Sequence, residues 1–128
     1  MATVLYVDDE DAIRRVVVSW LTRRGHTVHT AATLADARAL LESRRIDGAF
    51  VDVRLGDENG VELQTWIEEH QPRLSSNIVY VTGDVGSGEV TSPALANVDR
   101  PVLAKPFELL ELDAIVERWV GKSSTDDS

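Results

Sequence analysis

Short apolar runs recur along the chain, and each of them ends at a polar residue. The runs at 4–7, 48–51, 78–81 and 102–104 are nearly continuous in Val, Ile, Leu, Ala, Tyr and Phe. Such runs are typical of strands that are buried on both faces of a parallel sheet. The run at 27–31 alternates apolar and polar residues instead, which predicts a strand at the sheet edge. The pattern therefore predicts five strands.

Apolar residues at three- and four-residue intervals fill most of the spaces between these runs. Four amphipathic helices are predicted, over residues 13–21, 34–41, 63–70 and 112–120. A fifth helix, fourth in chain order, is predicted within 83–97, and it can only be short because this segment contains Gly83, Gly86, Gly88 and Pro93. Each strand-helix unit is too short for the chain to return except by a crossover, so the strands are predicted to be parallel. The fold class is therefore α/β: a flavodoxin-like, doubly wound, five-stranded parallel sheet in the order 2-1-3-4-5, with helices on both faces.

Composition narrows the class of protein further. A chain of 128 residues suits one domain, predicted over residues 1–122 and followed by a disordered tail at 123–128. The net charge of −9 opposes binding to nucleic acid, because phosphate contacts supply most of that affinity. The chain has no apolar run of about 20 residues and no signal-peptide pattern, so we expect no membrane insertion and a cytoplasmic location.

The polar residues that end the strands include every candidate for chemistry. Asp8 and Asp9 follow the first run, Asp52 ends the third, Thr82 follows the fourth and Lys105 follows the fifth. Ligands of open parallel sheets bind beyond the carboxyl ends of the strands. These side chains are therefore expected to converge on one crevice.

Three carboxylates in one crevice require compensation, because like charges so close do not all stay ionised. Either a proton is shared or a cation lies among them, and an all-oxygen cluster suits Mg²⁺, for which Mn²⁺ is able to substitute. With Lys105 and Thr82 the set fits phosphoryl transfer, which depends mainly on positioning and charge neutralisation. Asp52 is then the nucleophile that forms an acyl phosphate.

The residues Val7-Asp8-Asp9-Glu10, Asp52, Thr82-Gly83 and Lys105-Pro106-Phe107, in this order and at these separations, resemble the receiver domain of two-component response regulators. The resemblance covers about residues 3 to 121. It implies that Asp52 accepts a phosphoryl group from a phosphohistidine on a histidine kinase or a histidine phosphotransfer protein. Such a module phosphorylates itself and turns over no external substrate, so it is not an enzyme in the usual sense.

The same resemblance implies a role for each site residue. Asp9, Asp52 and the backbone carbonyl of Arg54 bind Mg²⁺, while Asp8 acts largely through water. Lys105 pairs with the phosphoryl group, and Thr82 moves toward it as part of a conformational switch.

The chain departs from the family pattern at Val102, three residues before Lys105, where receivers usually have Tyr or Phe. Val102 has no ring to turn inward, so the switch is expected to act through the Thr82 hydroxyl. The run 102–107 also resembles the receivers of hybrid sensor kinases, which often pass the phosphoryl group onward in a phosphorelay. In the receiver family, the positions of Ile13 and Pro106 touch the helical bundle that presents the phosphohistidine. The resemblance therefore implies a partner contact at these two residues, the alternative being local packing.

Two alternative functions remain to be compared with this one. A Mg²⁺-dependent phosphatase of the haloacid dehalogenase type requires an acid two residues after the nucleophile, where this chain has Arg54. A receiver-like scaffold that is never phosphorylated is disfavoured by the complete set of site residues. Arg54 and Asp84 also suggest a hypothesis in which they control the access of water to the acyl phosphate, the alternative being two solvated charges.

The remaining aromatic residues and histidines suggest no further site. Trp20, Trp66 and Trp119 lie on apolar helical stripes and are predicted to pack in the core. His26, His29 and His70 have no metal-ligand spacing and are not expected to be functional.

Overall fold

A five-stranded parallel sheet forms the centre of the molecule. The computed structural model describes residues 2–82, 102–104 and 107–126. The strands are β1 (Thr3–Val7), β2 (Thr27–Ala31), β3 (Gly48–Asp52), β4 (Ile78–Thr82) and β5 (Val102–Ala104). All neighbouring pairs are parallel, and the order is β2-β1-β3-β4-β5. The predicted order and the edge position of the alternating strand are confirmed.

Four helices are present in the described part of the chain. They are α1 (Asp11–Arg23), α2 (Leu34–Ser43), α3 (Glu62–His70) and the C-terminal helix α4 (Leu109–Asp126). A short hairpin, in which Arg54–Leu55 pairs with Glu58–Asn59, separates β3 from α3, and a 3₁₀ helix at Pro72–Asn77 follows α3. None of these helices combines the length and apolar character needed to cross a bilayer.

The two faces of the sheet carry separate hydrophobic clusters. One cluster joins the sheet to α2 and α3, and the other joins it to α1 and α4. Successive residues of each central strand alternate between the clusters, as the period of two in a strand requires: Leu5 belongs to the first and Tyr6 to the second. Trp119 is buried as predicted, and Trp20 and Trp66 pack against the clusters as partly buried side chains. The site described below lies at one edge of this two-sided core.

Individual residues explain where α1 ends and where α2 begins. Gly25 has a φ of 92°, and the N–H groups of Gly25 and His26 donate to the carbonyls of Thr22 and Leu21. This Schellman arrangement favours glycine because other residues adopt positive φ at a cost. At the start of α2, the Thr33 hydroxyl accepts the N–H of Asp36 at 3.1 Å and so caps the helix.

The C-terminal helix departs from the sequence prediction. The sequence predicts it over residues 112–120, whereas it continues through Gly121 to Asp126 and so includes residues 123–126 of the predicted tail. A glycine inside a helix costs only about 1 kcal/mol relative to alanine, and no proline follows it. The predicted fourth helix within 83–97 lies outside the described residues.

Candidate functional site

The register of the sheet brings the predicted acidic residues together. Val7 of β1 lies opposite Val51 of β3, so Asp8 and Asp52 leave neighbouring strands side by side. Asp8 is fully buried and Asp52 is 4% exposed. Oxygen atoms of Asp8, Asp9, Glu10 and Asp52 all lie within 4.8 Å of one another. The structure therefore contains the acidic cluster that the strand ends predict.

Asp8 is held by several fixed groups. The backbone N–H of Asp8 donates to the carbonyl of Ala31 at 3.0 Å, and the backbone carbonyl of Asp8 accepts a hydrogen bond from the Arg14 guanidinium. Its side-chain Oδ1 accepts the N–H of Glu10 at 2.9 Å, and Oδ2 accepts the hydroxyl of Tyr6 at 3.1 Å. Burial, followed by the negative charge of Asp8, raises the pKa of the Tyr6 phenol well above its ordinary value. Tyr6 is consequently a stable donor to the cluster.

The hairpin after β3 is connected to both of the other aspartates. Asp52 Oδ1 accepts the N–H of Arg54 at 3.0 Å, and Asp9 Oδ2 accepts the N–H of Gly56 at 3.0 Å. Gly56 has a φ of 61°, a conformation that favours glycine. At Gly60 a Cβ atom would lie 1.9 Å from the backbone oxygen of Asp52, so this position accepts no side chain without a backbone shift.

Thr82 lies at the same edge of the sheet as the acidic cluster. Val81 lies opposite Asp52, so Thr82 is one residue beyond it on the neighbouring strand, and its side chain is 3% exposed. Thr82 in turn lies opposite Ala104, the residue before Lys105. Lys105 itself lies outside the described residues, as do two other residues of the sequence predictions, Pro106 and Asp84.

The remaining predicted positions are partly buried. Val102 lies opposite Tyr80 and packs against the cluster formed with α2 and α3. Ile13, on α1, packs against the opposite cluster. Phe107, which ends the Lys-Pro-Phe motif, meets the ring of Tyr6 edge to face with centroids 6.5 Å apart. Neither Val102 nor Ile13 contacts the acidic cluster through a hydrogen bond, because both side chains are apolar.

Two residues of the site were not identified from the sequence. Glu10 contributes an oxygen to the acidic cluster, and its place in the run Asp8-Asp9-Glu10 was an available signal. Tyr6 gave no such signal, because it lies within an apolar run where an aromatic residue is ordinary strand packing.

A second group of possible metal ligands lies at the opposite end of the sheet. His26, Asp113 and Glu117 bring ligand atoms within 4.8 Å of one another. However, His26 Nδ1 accepts the N–H of Ala2 at 3.1 Å, which places the proton of the neutral ring on Nε2. Asp113 Oδ1 accepts the Nε of Arg24 at 2.8 Å. With a proton on Nε2, His26 offers no lone pair to a cation at this position.

Comparisons with known proteins agree with this geometry. The family model for the response regulator receiver domain matches residues 4–117. The chain is 31% identical over 121 residues to the transcriptional regulatory protein GltR of Pseudomonas aeruginosa, which covers 94% of the chain and 50% of that protein. It is 32% identical over 124 residues to the sensor kinase CckA of Brucella abortus, which covers 94% of the chain and 13% of that protein.

Solved structures agree as well. A CheY-like receiver domain from Methanospirillum hungatei superposes with a TM-score of 0.80 at 25% identity, and the match covers 98% of both chains. The curated relatives are longer, so the chain spans half or less of the length of GltR and CckA.

The family match and the fold together distinguish a receiver domain from a phosphatase of the haloacid dehalogenase type. A phosphoacceptor role is typical of receiver domains, which act in regulation and interact with histidine kinases. The family match excludes the haloacid dehalogenase alternative, because the matched residues include both the strands and the acidic motif. The chain belongs to the family of response regulator receiver domains of two-component systems.

Proposed function

We propose that Asp52 accepts a phosphoryl group from a phosphohistidine of a histidine kinase or a histidine phosphotransfer protein. The observation that carries this proposal is the acidic cluster, in which nearly buried Asp52 ends β3 within 4.8 Å of the oxygens of Asp8, Asp9 and Glu10. A carboxylate in this position gains a neutralising partner when a cation binds, and the same cation offsets the negative charge of an incoming phosphoryl group.

The transfer forms one bond and breaks another. A carboxylate oxygen of Asp52 attacks phosphorus in line, the new O–P bond gives an acyl phosphate, and the P–N bond breaks with its electron pair staying on the donor imidazole. The N–H of Arg54, bonded to Asp52 Oδ1, fixes the plane of the carboxylate. Fixing the nucleophile in this way lowers the entropic cost of reaching the reactive geometry.

The donor set fits a hard dication. We assign Asp9, Asp52 and the backbone carbonyl of Arg54 as Mg²⁺ ligands, with Mn²⁺ as a substitute, because carboxylate and carbonyl oxygens suit both ions. Asp8 acts through water in this assignment, and its two hydrogen-bonded oxygens support that role. When bound, the ion neutralises charge on the phosphoryl oxygens.

Thr82 and Lys105 complete the site in this proposal. Thr82 donates its hydroxyl to a phosphoryl oxygen, and Lys105 supplies a positive charge. Val102 has no ring, so the conformational response depends on the Thr82 hydroxyl. Ile13 and Pro106 contact the donor bundle, and the domain itself does not bind nucleic acid.

We also favour a phosphorelay role in the cytoplasm over direct control of an output domain. The match to the sensor kinase CckA, together with Val102 in place of an aromatic residue, supports a receiver of the hybrid kinase kind. The transcriptional regulators among the relatives represent the other arrangement.

Phosphoramidate tests the proposed chemistry, because it carries the same P–N bond as phosphohistidine. Incubated with phosphoramidate and Mg²⁺, the wild-type chain is expected to give a hydroxylamine-sensitive acyl phosphate signal in ³¹P NMR spectra. Asp52→Asn is expected to give none. A signal of equal size from the variant would exclude Asp52 as the acceptor.

A further inference from the structure

We propose that Tyr6 is a positioning residue for the acidic cluster: its hydroxyl holds the Asp8 carboxylate in the orientation that Mg²⁺ binding requires. This inference rests on the proposed function, since it concerns the ion that the cluster binds. The distance of 3.1 Å between the Tyr6 hydroxyl and Asp8 Oδ2, inside the protein, is the observation that carries it.

Tyr6 is a rigid donor because its ring is fixed on several sides. The side chain is fully buried, and its ring lies 6.1 Å from that of Phe50 and 6.5 Å from that of Phe107, centroid to centroid. Tyr6 and Asp8 are two residues apart at the end of β1, so their side chains leave the chain on the same side. The ring packing therefore fixes the position of the hydroxyl relative to the strand end.

The two bonds to the Asp8 carboxylate act on different oxygens. The hydroxyl of Tyr6 donates to Oδ2, and the N–H of Glu10 donates to Oδ1. Two donors on opposite oxygens restrain the plane of the carboxylate. Loss of the hydroxyl removes the restraint on Oδ2 and gives the carboxylate more freedom to rotate.

The backbone of Asp8 is held independently of Tyr6. Its N–H is bonded to Ala31, and its carbonyl accepts the guanidinium of Arg14. Replacing Tyr6 by Phe keeps the ring packing and removes the hydroxyl alone. The substitution consequently reports on the orientation of the Asp8 side chain rather than on the course of the strand.

The test compares Tyr6→Phe with Tyr80→Phe by calorimetric titration of the full chain with Mg²⁺. Tyr80 is the matched control, because it is also buried on a central strand and donates its hydroxyl to Gln64, away from the cluster. Removing a group that orients a metal ligand typically weakens metal binding by 10–100-fold. We expect the Kd for Mg²⁺ to rise about tenfold in Tyr6→Phe and to stay within about twofold of wild type in Tyr80→Phe.

Two further readouts separate positioning from a general loss of structure. The Mg²⁺ concentration that gives half-maximal formation of acyl phosphate from acetyl phosphate is expected to rise in Tyr6→Phe by the same factor as the Kd for Mg²⁺. In an Asp8→Asn background, Tyr6→Phe is expected to leave the Kd for Mg²⁺ unchanged, because its effect acts through the carboxylate.

The outcomes distinguish this inference from the proposed function. If the wild-type chain binds Mg²⁺ and the Kd is unchanged or lower in Tyr6→Phe, the inference about Tyr6 is overturned and the proposed function is not. An equal weakening in Tyr80→Phe, or an undiminished effect in the Asp8→Asn background, would also overturn it. Absence of Mg²⁺ binding by the wild-type chain would overturn both.

Discussion

Asp9 Oδ2 accepts a hydrogen bond from the backbone N–H of Gly56 at 3.0 Å, although the two residues are 47 positions apart in the chain. The bond joins the loop after β1 to the hairpin after β3, and the same hairpin supplies the N–H of Arg54 to Asp52. The acidic cluster thus depends on a hairpin whose conformation Gly56, with its φ of 61°, helps to set.

Replacement of Gly56 by Ala is expected to weaken Mg²⁺ binding. Positive φ costs a non-glycine residue about 1 kcal/mol, and relief of this strain would move the N–H away from Asp9. Gly25→Ala is the matched control, since Gly25 also has positive φ and open space where a Cβ would lie. Urea unfolding should show a similar loss of stability in both variants, and titration with Mg²⁺ should show a higher Kd only in Gly56→Ala. Equal Kd values in the two variants would contradict this role of the hairpin.

The hydroxyl of Thr82 is expected to be more important than its methyl group. A hydrogen bond to a charged group contributes about 1.5–3 kcal/mol, and about 1.4 kcal/mol corresponds to a tenfold change in rate. Acyl phosphate formation from acetyl phosphate should therefore slow by roughly tenfold or more in Thr82→Ala. Thr82→Ser, which keeps the donor, should stay within about threefold of wild type on the same scale. The role fails if Ala and Ser give the same rate.

Replacing Arg54 by Ala tests the hypothesis that the Arg54 side chain limits access of water to the acyl phosphate. Arg54→Ala keeps the backbone N–H and carbonyl that the site uses, so we expect Mg²⁺ binding to persist and the phosphoryl group to be lost faster. Exposed charges typically contribute up to about 1 kcal/mol, which corresponds to roughly fivefold in rate. The lifetime is measured by loss of the phosphorylated mass over time, with the exposed Arg45 replaced by Ala as control. An unchanged lifetime in Arg54→Ala would remove the hypothesis.

The buried phenol of Tyr6 predicts a loss of stability at alkaline pH. Its pKa is raised in the folded state above the ordinary value of 10.0, so above that pH the unfolded chain loses a proton that the folded chain keeps. The free energy of unfolding should then fall with rising pH by about 1.4 kcal/mol per unit more in wild type than in Tyr6→Phe. Urea unfolding at pH 9, 10 and 11 without divalent cations measures this difference. Parallel curves for the two proteins would show that Tyr6 ionises normally in the folded state.

The arrangement of the sheet was predictable because it depends on local patterns. The alternation in Thr27–Ala31 identified the outermost strand of the sheet. The polar residues after each apolar run identified the carboxyl ends of the strands, where Asp8, Asp52 and Thr82 lie. The first prediction uses the rule that strands buried on both faces are nearly continuously apolar, and the second uses the rule that parallel strands present their carboxyl ends together.

The finer contacts of the site were not predictable, because they depend on tertiary packing. Nothing in the apolar run of β1 indicates that the Tyr6 hydroxyl reaches Asp8, since the ring position is fixed by Phe50 and Phe107 from other parts of the chain. The bond from Gly56 to Asp9 likewise requires the hairpin to fold back over the strand ends. The predicted end of the last helix at residue 120 was wrong, because the single glycine that follows, Gly121, is too weak a signal to end a helix.

Intact-mass spectrometry after incubation with acetyl phosphate tests the central claim, phosphorylation of Asp52, most directly. Wild type with Mg²⁺ should gain the mass of one phosphoryl group, while wild type with excess EDTA and Asp52→Asn with Mg²⁺ should gain none. Labelling of Asp52→Asn to the same extent as wild type, or no labelling of wild type with Mg²⁺, would contradict the account.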